Sequence, residues 1–145
     1  MKTFKSIAAL EAAAKASARK TLNYQVKDLV EKKIREKAQE VVYDSYSPTQ
    51  YVRRGGLGTV FAEIPGTYTL RIFDINSANT PQRSGNPPGP GYFAQMINDT
   101  GAPNVFNNAD YPWMHPRRFY DETVKALDGS SELISVVRAG FLANI

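Results

Sequence analysis

The sequence predicts an α+β fold: a long N-terminal amphipathic helix, a small antiparallel sheet built around a hairpin, and one or two short C-terminal helices. Three observations predict it. Apolar residues recur at spacings of three and four through residues 21–44, the period of a helix with one buried face. Two β-rich runs flank Pro65-Gly66, and Pro116 and Gly129 bracket a second, shorter helical pattern. The 145 residues fit a single domain, 1–145, and suffice to bury a core.

The first segment, residues 1–20, is rich in alanine, the strongest helix former. Its apolar surface is thin, so it is expected to be a helical arm that docks on a neighbour or frays. Residues 21–44 carry the stripe Leu22, Val26, Leu29, Val30, Ile34, Ala38, Val41 and Val42, with Lys27, Glu31, Lys32, Arg35, Glu36 and Lys37 mostly off it. Glu31 and Arg35 attract across one turn while Lys33 and Lys37 repel, so burial of the stripe decides this helix. Tyr46-Ser47-Pro48 ends it, because proline cannot continue a helix and biases the residue before it toward extended geometry.

Gly55-Gly56-Leu57-Gly58 reads as a turn. Thr59 to Ile64 and Thr67 to Ile75 read as strands reversing at Pro65-Gly66, with Tyr68, Leu70 and Ile72 on one packed face. Residues 76–91, with four prolines and three glycines, leave nothing to bury and read as a long surface loop. It is either a tolerated insertion or a docking segment. Tyr92 to Ile97 reads as a third strand and residues 98–112 as loop. Pro116 suits the position at or just before the first residue of a helix whose apolar residues are Phe119, Val124 and Leu127. Gly129 stops that helix, and Ser130 or Ser131 can cap a last one carrying Leu133, Ile134, Val136 and Val137. The density of apolar residues there also suits a strand.

Composition excludes much chemistry. With no cysteine, disulfides, thiolate catalysis, zinc–thiolate sites and iron–sulfur clusters are ruled out. His115 is the single histidine and the single credible acid–base group, and no nucleophile partner is evident in the sequence. Gly55–Gly58 lacks the Lys-Ser/Thr of a phosphate-binding loop. Asp121 and Glu122 are adjacent and diverge on a helix, so they suit a first helical turn better than a paired-carboxylate site. The expectation is a protein without catalytic activity, cofactor or metal. No apolar run approaches the ~18–20 residues that span a bilayer, the N-terminus lacks a secretory pattern, and synthesis in the cytosol is expected.

The net charge is +4, and the excess lies in residues 1–44, with ten Lys/Arg against six Asp/Glu. Mixed signs and the lack of interleaved aromatics for base stacking favour a solvated face over a nucleic-acid surface. Tyr51-Val52-Arg53-Arg54 and Arg117-Arg118, the latter near Trp113 and Phe119, place arginines beside aromatics. That is the composition of protein-interface hot spots. Internal salt bridges and phosphate contacts are the other readings.

The order of elements and a handful of motifs resemble neck and tail-completion proteins of tailed bacteriophages, the group similar to the lambda Z-type tail component. The carriers are Tyr46, Pro48, Tyr51, Arg53 and Arg54, then Arg117, Arg118 and Phe119, and finally Arg138, Ala139, Gly140 and Phe141. The loop at 76–91 and the alanine-rich start depart from the compact family pattern. The resemblance implies a structural virion protein whose copies form a ring at the neck or upper tail. Its partners would be further copies of itself and the portal, connector and tail proteins. Tyr51, Arg53, Arg54, Trp113, Arg117 and Arg118 would meet neighbours, and Lys32, Lys33 and Lys37 of the basic helix would face packaged DNA.

Overall fold

The structure is a computed structural model that describes residues 2–45, 60–74, 97–99 and 116–145. It is α+β, with a long N-terminal helical run, a two-stranded antiparallel sheet and two C-terminal helices. The two helical segments read from the sequence join into one run. Helix α1 (Ile7–Thr21) passes through a π-helical turn at Leu22–Val26 into α2 (Lys27–Lys37), and a second π-helical stretch covers Ala38–Tyr43. Ser6 caps the start, its hydroxyl accepting from the Ala9 N–H at 3.1 Å. The predicted stripe is the buried one: Val26, Leu29, Ile34, Ala38 and Val42 are all buried. Each of the larger of these side chains contributes about 1.5–3 kcal/mol by leaving water. Beyond the run, the Ser45 hydroxyl donates to the Val42 carbonyl at 2.6 Å.

Strand β1 (Val60–Gly66) pairs with β2 (Thr69–Asp74). The reversal falls at Thr67-Tyr68, two residues later than the expected Pro65-Gly66. Both strands of a two-stranded sheet are edges, so Pro65 can lie in β1 with its missing N–H on the unpaired side. Leu70 and Ile72 are half-buried and Thr69 and Arg71 exposed, the alternation the sequence shows. Tyr68, expected on the packed face, lies in the turn and is exposed.

Residues 97–99 are helical, so the expected third strand does not extend through Ile97; Tyr92 lies outside the described residues, as do the turn at Gly55–Gly58 and the loop at 76–91. Helix α3 (Phe119–Leu127) starts later than Pro116 suggests. The Arg117 N–H is held by the Ile97 carbonyl at 2.8 Å, which keeps 116–118 out of the helix. The first turn is capped from afar: the Asn98 side-chain oxygen accepts from the Tyr120 N–H at 2.9 Å. Asp121 and Glu122 occupy that turn, where the helix dipole favours them. Phe119 and Leu127 are buried, but Val124 is 64% exposed, and Thr123 takes the inward position, its hydroxyl on the Phe119 carbonyl at 2.7 Å. Gly129, at φ +64°, ends the segment, and Ser130 caps α4 (Ser131–Asn144) by accepting from the Leu133 N–H at 3.1 Å. The last element is therefore a helix.

The chain forms two compact units interleaved in sequence. One comprises Met1–Val30, Ala62–Ile72 and Leu127–Ile145; the other comprises Glu31–Phe61 and Phe73–Ala126. The first is organised by α1 packed on α4, so the alanine-rich segment is a docked element of this unit. The second centres on Phe119, which is fully buried.

A candidate assembly surface on the C-terminal helix

In the first unit, small residues let two helices approach closely. Ser17 and Thr21 of α1 and Gly140 of α4 are all buried. The Ser17 hydroxyl donates to the Phe141 carbonyl at 2.7 Å, and the Thr21 hydroxyl donates to the Ser17 carbonyl at 2.9 Å. Asn144 closes the contact, donating to the Gly140 carbonyl at 2.8 Å and, over a longer 3.4 Å, to Thr21 Oγ1 and Gln25 Oε1. A Cβ added at Gly140 would lie 2.7 Å from Thr21 Cγ2. The buried polar groups in this crossing are thus paired, as burial requires.

The outer face of α4 is also apolar. Ile134, Val137 and Phe141 recur at spacings of three and four, Leu142 follows directly, and Ile134 and Leu142 are 60% and 66% exposed. A groove of about 680 Å³ opens beside them, lined by Ala18, Thr21, Leu22, Tyr68, Val137, Arg138, Phe141 and Leu142. A helix apolar on both faces is normally buried on both faces. Here one face meets α1 and the other, with Tyr68 across the groove, meets solvent. Ile7 and Leu10 at the start of α1 are exposed as well.

Charge in the middle of the long helical run is largely paired. Lys32 and Lys33 both reach Glu36, at 3.7 and 2.9 Å, and Lys37 reaches Glu40 at 2.7 Å. Arg35 pairs with Glu31 at 2.7 Å. The hydrogen bond from Lys33 holds the Glu36 carboxyl below the usual carboxylate range. The lysines expected to face DNA are thus tied into ion pairs along their own helix.

Of the six residues expected at a protein interface, Tyr51, Arg53, Arg54 and Trp113 lie outside the described residues, as does His115. Arg118 is exposed and paired with Asp121 at 3.1 Å. Arg117 is 7% exposed, so little of its side chain is open to a neighbour. Two features escaped the sequence reading. One is the outer face of α4, whose signal was an apolar pattern too dense for a single helix face. The other is Arg19-Lys20 with Asn23 and Tyr24, which line a second, open pocket of about 380 Å³ with Ile64. Its signal was an aromatic one turn beyond a basic pair.

Among the described residues no group of three or more acidic or histidine side chains could hold a metal ion, and no helix is long and apolar enough to cross a membrane. The described geometry defines a small α+β protein whose most distinctive surface is an apolar face. The family model YomN matches residues 6–143, and the chain belongs to the YomN family. This is a phage-derived family, and the protein is phage-associated. Neither a curated protein nor a solved structure matches the chain.

Proposed function

We propose that this is a structural virion protein of a tailed bacteriophage, assembling as a ring at the neck or upper tail and joining or completing the head–tail junction. One observation carries the reading: α4 keeps an apolar outer face and an adjoining groove open to solvent after its inner face is packed. Apolar area of this kind favours burial against protein, at about 25 cal/mol per Å² removed from water. Ring closure needs two different surfaces on each copy. The outer face of α4 supplies one, and the second would come from elsewhere on the chain. Membership of a phage-derived family supports the setting. The protein then works by packing, without catalysing a reaction, in contact with its own copies and with portal, connector or tail proteins.

The test is incorporation. In phage grown from a host supplying Ile134→Glu/Leu142→Glu protein in place of the wild type, the variant should be missing from purified virions while the wild type is present. A wild-type chain absent from virions, or a variant incorporated as well as the wild type, would contradict the proposal.

A further inference from the structure

We infer that the pocket formed by Arg19, Lys20, Asn23 and Tyr24 is a contact site for the phosphate backbone of duplex DNA. The first unit holds eight basic against five acidic residues, and the second ten against nine, so three of the four excess positive charges belong to the first. Within the long helical run, Lys15, Lys32, Lys33, Arg35 and Lys37 all pair with glutamates along the same run. Among the described residues, Arg19 and Lys20 make no ion pair. Among the described residues, no acidic side chain lines their pocket.

The remaining groups suit a phosphate. Asn23 adds an amide donor and Tyr24 a phenol donor, both of them side chains that commonly contact phosphate oxygens. Tyr24 is 60% exposed, an unusual setting for a large aromatic ring with a packed helix beneath it. Asn23 and Tyr24 also lie within the π-helical turn Leu22–Val26, and single π turns in α-helices concentrate at functional sites. The open shape of the pocket fits a rod passing over the surface better than an enclosed small molecule. This site replaces Lys32, Lys33 and Lys37 as the DNA-facing one. That the duplex is packaged DNA rests on the ring proposed above; the binding itself does not.

Fluorescence anisotropy of the full chain with a labelled duplex of mixed sequence tests this, across a series of salt concentrations. The wild type should bind with strong salt dependence. Arg19→Gln/Lys20→Gln should lower the slope of log affinity against log salt by about 2 and weaken binding at least roughly tenfold at low salt. Tyr24→Phe should weaken it by roughly threefold to tenfold. Lys32→Gln/Lys37→Gln should bind as the wild type does. No binding by the wild type, full binding by the Arg19/Lys20 variant, or an equal loss in the Lys32/Lys37 variant would overturn the inference. So would displacement of the duplex by polyglutamate at equal charge concentration, which would mark an acidic protein as the partner. Sedimentation of the same variants separates the two claims. A chain that binds duplex but never assembles overturns the ring alone, and one that assembles without binding overturns this site alone.

Discussion

Gly140 sits where α4 crosses α1, and the space a side chain would need is filled by the Thr21 methyl. Gly140→Ala should therefore destabilise the protein by about 1–3 kcal/mol, the usual cost of overpacking, seen as a lower midpoint in thermal unfolding. Adding Thr21→Ser, which removes the methyl and keeps the hydroxyl, should restore most of the loss. An additive double mutant would show that the two residues do not share the contact. Asn98→Ala should cost about 1 kcal/mol in the same measurement by uncapping α3. These residues differ in how far sequence could reveal them. The Ser130 cap and the Gly129 stop act within three residues of themselves, so their chemistry is visible locally. Gly140 and Asn98 act on residues far along the chain, and nothing in their neighbours announces it.

At the scale of the element, α4 carries two apolar faces and spends only one on its own fold. Ile134→Ser/Leu142→Ser should change the unfolding free energy by no more than about 1 kcal/mol, roughly 0.5 for each exposed position, because these side chains are already mostly in water. A large destabilisation would mean that this face is packed within the chain. The mid-helix ion pairs make a second prediction. The Glu36 carboxyl titrates lower than its ordinary 4.5 because Lys33 hydrogen-bonds it. Its contribution to stability is present above that value and lost as pH falls through the lower folded one. Exposed pairs contribute little, so acidification should produce a small loss of helical circular dichroism that Glu36→Gln does not share. The long helix was legible because its stripe repeats over twenty residues with one period. The hairpin was legible in type, but its turn was not. Pro65-Gly66 has turn chemistry, yet an edge strand accepts both residues, and register is set by cross-strand pairing. The second face of α4 was missed for a related reason: an apolar run that dense fits a buried helix, a strand or an interface equally well.

For the whole molecule, what matters is how the units meet other molecules. Composition located the positive excess in residues 1–44 but not its availability: residues three and four apart pair along the middle of the helix, and among the described residues Arg19 and Lys20 have no such pair. The expected interface residues were chosen for arginine beside aromatics. The structure instead draws attention to aliphatic side chains on α4 and to Tyr68, with Arg117 drawn inside. A protein that functions by packing should show it without any other phage component, since an exposed apolar face favours self-association as concentration rises. Sedimentation velocity of the purified wild-type chain over a wide concentration range tests this most directly. A shift to a discrete multiple of the chain mass is expected, abolished by Ile134→Glu/Leu142→Glu; a single-chain mass at every concentration would show that this face does not drive assembly.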